Sequence, residues 1–429
     1  MNYNKNIFYS FRQNKLEYSV FTIIFLLSAS PFLSEYISLL AIVLVIFSFI
    51  YFNKHEKLDN DIVIIFLAIT FLNIANMIVF SFISFQTFLG NYVRFLMPYF
   101  GLMLIGYKFP YIFVRVIKLF TIISLIFYIP ANIIPGFNEL LQNIPKQLTT
   151  DPIENNHFII YTVEFAKPFK TNIPFFRNSG PTGEPGEFVG YLVIAMIFEL
   201  IINRKLWTKN NKLFAFAILT TFSTTGYIAF FILLSAYYVL FGTLKGRLII
   251  FPLTVLLAFN IYFNFEFMYT KINQQINTIT AARDIDDVPR NARLPNLVRN
   301  LWDSFEKPIW GKGRNFETRY SNWRNMSKRA FSNNATAFPV QFGWPFFIFY
   351  TFLLHAGFKK LLLKYNMNKY YANIIVLIIY TLSLSQGFLL FPLFVSFIYL
   401  RNIIPSKKLN EAYSNNTNTQ SYTISISTN

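Results

Sequence analysis

The chain is built mostly from apolar blocks of one length. Runs at about 19–33, 36–52, 62–82, 89–107, 111–130, 186–203, 248–265 and 339–357 lie near the roughly 20 residues that a helix needs to cross a bilayer. Two further blocks, 213–242 and 371–401, are too long for one crossing. Each breaks near its middle, at Ser223-Thr224-Thr225-Gly226 and at Ser385-Gln386-Gly387, so each is expected to form two short spans. The expected fold class is therefore an all-α integral membrane protein with about 12 transmembrane helices. Composition agrees. Only 14% of the 429 residues are charged, against about 25% in soluble chains, which is too little to cover a soluble globule. With 54% hydrophobic residues the chain is also far too apolar for disorder. There is no Cys, hence no disulfide or thiolate chemistry, and three His make a His-rich metal centre unexpected.

A net charge of +18 would suit a nucleic-acid binder, but the placement of the charges gives another reason for it. With the N-terminus in the cytoplasm, the inner short loops and tails hold Lys54, Lys57, Lys108, Arg115, Lys118, Arg204, Lys205, Lys209, Lys212, Lys245, Arg247, Lys359, Lys360, Lys364, Lys369 and Arg401, among others. The outer short loops hold no Lys or Arg. Cytoplasmic loops of membrane proteins carry this excess, so an even number of spans with both termini cytoplasmic is expected, and no nucleic-acid partner. The first apolar run reads as a span rather than a cleaved signal peptide. The expected organisation is five spans in 1–130, a large external loop in 131–185, four spans in 186–265, a second large external loop in 266–338, three spans in 339–403 and a disordered cytoplasmic tail in 404–429.

Long loops escape the charge rule, so the basic residues of the second one need another explanation. It holds Arg283, Arg290, Arg293, Arg299, Arg314, Arg319, Arg324 and Arg329, and Arg outnumbers Lys there. Arg binds phosphate in bidentate fashion, which suggests an anionic lipid-linked ligand; the plainer alternative is a solvated basic loop touching headgroups. Leu294, Leu297, Val298, Leu301 and Phe305 fall on one face of an expected amphipathic helix lying on the outer membrane surface, ended by Pro308. Trp302, Trp310, Trp323 and Trp344 read as interfacial anchors or as platforms for sugar rings. Asp284-Ile285-Asp286-Asp287 has the spacing of a carboxylate metal clamp, but a solvated loop is the simpler reading and no metal is expected. Arg94, inside the fourth span, is costly there unless it faces a polar cavity or snorkels, and a cavity-lining role is expected.

The strongest local signal is Arg177-Asn178-Ser179-Gly180-Pro181-Thr182-Gly183-Glu184-Pro185-Gly186-Glu187-Phe188, directly before the sixth span. Its Gly and Pro residues set an irregular backbone at the membrane edge, with Pro185 suited to the first helical turn. An Arg and a Glu are held by it. A helix-capping turn, with Glu184 at the positive helix end, would give the same pattern.

This segment resembles the Arg-x-x-Gly-x-x-x-Glu-Pro-Gly stretch of bacterial O-antigen polymerases, the Wzy family, within the wider polymerase and ligase superfamily. Phe222-Ser223-Thr224-Thr225-Gly226 resembles that superfamily's Ser-Thr-x-Gly break, and Pro308-Ile309-Trp310-Gly311-Lys312-Gly313 its Pro-x-x-Gly-x-Gly element. Arg293 falls where the superfamily places an Arg, and Gly343 matches the Gly closing its large loop. The resemblance covers roughly residues 177–350. One departure stands out. Related ligases carry a His-Asn pair about ten residues before that closing Gly, and here the place is taken by Ser332-Asn333-Asn334.

The resemblance implies a bundle of the type C glycosyltransferase kind and a metal-independent, cofactor-free transfer outside the cytoplasmic membrane. A growing glycan would move from undecaprenyl pyrophosphate to the sugar of a new lipid-linked repeat unit. Arg177 and Arg293 would stabilise the departing pyrophosphate, with Arg94, Arg290, Arg299 and Asn334 as further pyrophosphate or substrate contacts. Glu184, and secondarily Glu187, would accept the proton of the attacking hydroxyl. The partners implied are the lipid-linked oligosaccharides as donor and acceptor, the bilayer, and a chain-length regulator protein. An O-antigen ligase, a capsule or exopolysaccharide polymerase, and a polysaccharide flippase are the competing readings. The missing His argues against the first, and the absence of an internal repeat against the last.

Overall fold

The computed structural model describes residues 14–30, 33, 37–54, 57–81, 84–148, 157–158, 160–163, 175–241, 252, 256, 273–274, 276–277, 279–280, 293–315 and 334–404. The expected span at 248–265, apart from single positions, and Asp284–Asp287, Arg290 and the tail after residue 404 lie outside them. The described chain is mostly helical. Its helices are α1 (Lys15–Ala29), α2 (Ile37–Phe52), α3 (Asn60–Phe80), α4 (Phe85–Ile105), α5 (Phe109–Ile133), α6 (Phe137–Leu148), α7 (Pro185–Asn203), α8 (Lys209–Thr220), α9 (Thr224–Phe241), α10 (Arg293–Glu306), α11 (Asn334–Lys364) and α12 (Tyr371–Ser383). A two-residue hairpin, β1 (His157–Phe158) with β2 (Tyr161–Thr162), is the sheet of the described residues, its strands antiparallel with His157 opposite Thr162.

Among the described residues four helical runs are long and apolar enough to cross a membrane: Asn60–Phe80, Phe85–Ile133, Pro185–Asn203 and Ala335–Lys364. The second has 49 residues, about 73 Å as a single rod, more than twice a hydrocarbon core of about 30 Å. It turns at Gly106, whose φ of +62° is a conformation Gly adopts freely, and passes through a short 3₁₀ segment into α5. Helix α1 packs against both halves. The outward faces are apolar: Val45, Phe49, Ile78, Phe85, Ile126 and Ile348 are all more than half exposed. Bare apolar surface on this scale is what lipid covers.

Inside, the many Phe residues interlock. Phe109, Phe113, Phe198, Phe358 and Phe397 form a continuous set of edge and stacked contacts joining α5, α7, α11 and the segment after α12. Such pairs contribute about 0.5–1.5 kcal/mol each beyond their buried area. Helix α7 is the central element, with every residue from Phe188 to Ile201 buried.

Both long blocks break close to the expected places. The first breaks at Thr221–Ser223, where Phe222 takes a positive φ of 46° between α8 and α9. The second differs beyond its break. Instead of a second helical span, α12 is followed by a 3₁₀ turn at Phe388–Leu390, a four-residue helix α13 (Pro392–Val395) and another 3₁₀ turn at Ser396–Tyr399. Pro392, which has no N–H and opens α13, prevents one continuous helix. The segment lies in the bundle core, where Ser28 Oγ accepts the N–H of Leu393 and the Tyr350 hydroxyl donates to the carbonyl of Leu389. Helix α11 also starts five residues before the expected span, at Asn334.

The ends of the bundle differ in chemistry. At one, Lys108 pairs with Glu17 at 2.8 Å, Arg401 pairs with Asp61, and Lys360 donates to the Arg401 carbonyl. At the other, the long loops meet the two breaks.

Candidate active site

The Arg177–Glu187 loop is held at the loop-bearing end by a helix that stops early. Where α8 ends, the carbonyls of Thr220 and Thr221 have no partner one turn on. The loop supplies donors. Asn178 N–H donates to the Thr220 carbonyl at 3.0 Å, and Arg177 Nε donates to the Thr221 carbonyl at 3.1 Å. The Asn178 side chain is fully buried; its Nδ2 donates to Thr220 Oγ1 and Ser124 Oγ, and its Oδ1 accepts the Gly180 N–H. The first break is thus the seat of the loop, and Arg177 is half-buried above it.

The second break meets the other end of the loop. Gln386 Nε2 donates to Glu184 Oε2 at 2.8 Å. A Cβ on Gly186 would lie 2.7 Å from that Nε2, so a side chain at this position would push Gln386 away. Glu184 is the exposed N-cap of α7, with Pro185 in the first turn. Glu187 turns back and accepts the Gly183 N–H at 3.1 Å, which makes it a carboxylate that closes the loop. Gly180, at φ +54°, lies under the Phe188 ring, where a Cβ would meet ring carbons at 2.8 Å.

A third support comes from the hairpin. Thr162 N–H donates to the Gly180 carbonyl and Thr162 Oγ1 donates to the Thr182 carbonyl. With its proton committed, Thr162 Oγ1 must accept from His157 Nδ1, 2.5 Å away. That fixes the tautomer, so His157 Nε2 accepts from Ser30 Oγ at 2.9 Å, at the end of α1. Burial pushes the His157 imidazole down to about 4, so it is neutral at ordinary pH.

The remaining expected residues stand elsewhere. Arg293 and Asn334 are the first residues of α10 and α11, two helices that pack together. Arg290 lies outside the described residues. Arg94 is half-buried on α4, and its Nε is enclosed with no hydrogen-bond partner among the described residues. Arg299, expected as a phosphate contact, is buried instead beneath α10, its Nε 3.6 Å from Asp303 Oδ1. Lys312 Nζ joins this network, 3.5 Å from Asp303 and 2.9 Å from Glu306. Burial raises the Asp303 carboxyl, with Lys312 and Arg299 pulling the other way. The reason for Arg299's position is the orientation of α10: its polar face (Asn296, Arg299, Asn300, Asp303) points into the protein, while Leu301, Trp302 and Phe305 face outward.

The Pro308–Gly313 element and Gly343 form one unit. Helix α11 kinks at Gly343, at φ 79° and ψ 162°, with Pro345 just after it. The kink frees two carbonyls, and the element takes them: Lys312 N–H donates to Val340 and Gly313 N–H to Gln341, while Trp344 N–H donates back to Pro308. A Cβ on Gly343 would fall 2.1 Å from the Ile309 carbonyl oxygen.

Sequence reading missed Gln386 as a partner of Glu184, His157 and Asn178. It also missed an amide cluster on α3 and α4. Asn91 Nδ2 donates to Asn73 Oδ1, Asn76 Nδ2 donates to the Trp310 carbonyl, and Arg314 donates to Asn91 Oδ1. These amides line a cavity of about 10 Å³, room for one water. All three Asn lie in apolar helices, where a polar side chain needs a partner just as Arg94 does, and that is the signal they carry in the sequence.

No protein-family model, no curated protein and no solved structure matches the chain. Helix lengths, lipid-facing surface and composition define the class: a mostly helical membrane protein.

Proposed function

We propose that the chain is a polysaccharide polymerase of the O-antigen type. It transfers a growing glycan from undecaprenyl pyrophosphate to a new lipid-linked repeat unit on the outer side of the bacterial cytoplasmic membrane. The observation that carries this reading is the convergence of both helix breaks on one loop, which holds Arg177 through Thr221 and Glu184 through Gln386. Under this reading the bundle has twelve spans of the type C glycosyltransferase kind, the basic end is cytoplasmic and the loop-bearing end external. Two large external loops cover the site, and a chain-length regulator is a candidate partner.

In the proposed reaction a hydroxyl oxygen of the acceptor sugar attacks the anomeric carbon of the donor. The bond from that carbon to the pyrophosphate oxygen breaks, and the pyrophosphate leaves with the electron pair. Arg177 meets the charge that develops there, aided by Arg293 and by Arg94, Arg290 and Asn334 where they reach it. Glu184, exposed and oriented by Gln386, accepts the hydroxyl proton. Glu187 closes the loop and Arg299 holds α10, so both position rather than react.

The test is glycan length in a strain lacking the gene, complemented with wild type, Arg177→Ala or Glu184→Gln. The expected result is single repeat units in the deletion strain, a full ladder with wild type, and no ladder with either expressed variant. Long chains retained on the lipid carrier would point to a ligase. Units trapped on the cytoplasmic face would point to a flippase.

A further inference from the structure

At the basic end, away from the loop site, α5, the end of α7 and the start of α8 enclose a cavity of about 310 Å³. Arg115 and Lys118 enter from α5, one turn apart, and Lys209 from the start of α8. The one carboxylate in the lining, Glu199, is buried and already accepts from Asn210 Nδ2 at 3.1 Å. Three cations therefore face one carboxylate that is engaged. The cavity also takes in Thr208, whose hydroxyl caps α8 by accepting the Asn211 N–H, so the positive end of the helix adds to the field. Arg115 is held in place by a 3.0 Å hydrogen bond from one guanidinium nitrogen to the Tyr18 hydroxyl.

We propose that this cavity binds the phosphate of an anionic phospholipid headgroup in the leaflet at the basic end. The surroundings favour a lipid over a soluble phosphate. Leu119 and Ile122 on α5 and Phe216 and Leu219 on α8 are exposed apolar residues on the same helices, where acyl chains can lie. Trp207, between α7 and α8, is half exposed and donates to the Tyr238 hydroxyl, an arrangement common at the bilayer surface. Basic pockets between helices on the cytoplasmic side bind such headgroups. The inference needs no part of the polymerase reading.

The test is native mass spectrometry of the full chain in detergent with added phosphatidylglycerol, phosphatidylcholine or inorganic phosphate. Wild type should retain phosphatidylglycerol in preference to phosphatidylcholine. Removing each cation should weaken retention about fivefold, so Arg115→Ala/Lys118→Ala should lose it about 25-fold. Lys209→Ala, at an exposed position that folding tolerates, should lose about fivefold, and the pair Lys54→Ala/Lys57→Ala, neither of which lines the cavity, nothing. Equal retention of the two lipids overturns the proposal. So does retention by the cavity variants at the wild-type level, and so does displacement of the lipid by inorganic phosphate alone.

Discussion

Glu184 and Gln386 are 202 residues apart in the chain, and the Gln386 side-chain amide donates to the Glu184 carboxylate at 2.8 Å. One belongs to the loop before α7 and the other to the break after α12. If Glu184 is the proton acceptor, Gln386→Glu places a second carboxylate against it, and repulsion between like charges at that distance raises the apparent pKa of the pair. The group then loses its proton only at higher pH. The acid limb of polymerisation rate against pH, followed with isolated lipid-linked repeat units, should move upward, whereas Gln386→Ala should slow the reaction with little displacement of the limb. An unmoved limb in Gln386→Glu would remove Glu184 from the role of base.

Arg177 should not tolerate Lys. Its Nε–H is used to bind the Thr221 carbonyl, which leaves the two terminal nitrogens of the fork for a ligand; Lys has all its donors on one nitrogen and cannot serve both places. Loss of one such charge stabiliser costs about 10²–10³ in rate. Arg177→Lys and Arg177→Ala should therefore be similarly inactive in glycan-ladder assays at equal expression.

His157 predicts a pH dependence of stability. Its folded-state pKa, about 4, lies below the unfolded value of 6.5, so the unfolded chain binds more protons between them. The contribution, about 3 kcal/mol, is complete above pH 6.5 and is lost as pH falls toward 4. Melting temperature in detergent should fall over that window in wild type and fall less in His157→Gln, whose amide takes up no proton there. Parallel curves for the two proteins would contradict the buried neutral imidazole.

The outward face of α10 predicts contact with lipid. Trp302 is 60% exposed and Phe305 63% exposed, while Asn296, Arg299, Asn300 and Asp303 of the same helix are buried. In vesicles, lipids brominated near the headgroup should quench the fluorescence of Trp302 in a variant whose other four Trp are Phe. Deeply brominated lipids should quench it less, as expected for a helix lying on the surface.

Two glycines with positive φ should differ sharply. Gly343→Ala forces a Cβ into the Ile309 carbonyl as well as an unfavourable φ, and should cost about 3 kcal/mol or more. Gly106→Ala meets nothing within 4 Å and should cost less, about 1–3 kcal/mol, from its backbone conformation alone (φ +62°, ψ −149°). Thermal melting of the two variants side by side measures the difference.

What the sequence made legible was whatever repeats a simple rule. Run length and hydropathy located α2, α3, α4, α5 and α7 to within a few residues, because each is a continuous apolar run bounded by polar or Gly residues. The breaks expected at Ser223–Gly226 and Ser385–Gly387 fall within about three residues of those observed, and the irregular loop before α7 was legible too, from Ser, Thr, Gly and Pro content. Pairings between distant segments were not. Nothing local in Gln386 or His157 names Glu184 or Ser30 as a partner, since those contacts depend on how α1, α7 and α12 pack. Arg299 shows the limit of composition: counting Arg in the loop pointed to phosphate, whereas the orientation of α10 gives this one to Asp303.

The irregular stretch from Phe388 to Tyr399 has a consequence for how the molecule is assembled. Its backbone bonds are satisfied in part by Ser28 and Tyr350, which belong to other helices. A segment of this kind does not enter lipid unaided, because each backbone group left unpaired in hydrocarbon costs several kcal/mol. During biogenesis it must wait until α1 and α11 are in place, and then close the bundle like a keystone. Mutations at Ser28 or Tyr350 should therefore reveal themselves as failed maturation, with chains that insert into the membrane yet stay open to quality-control proteases.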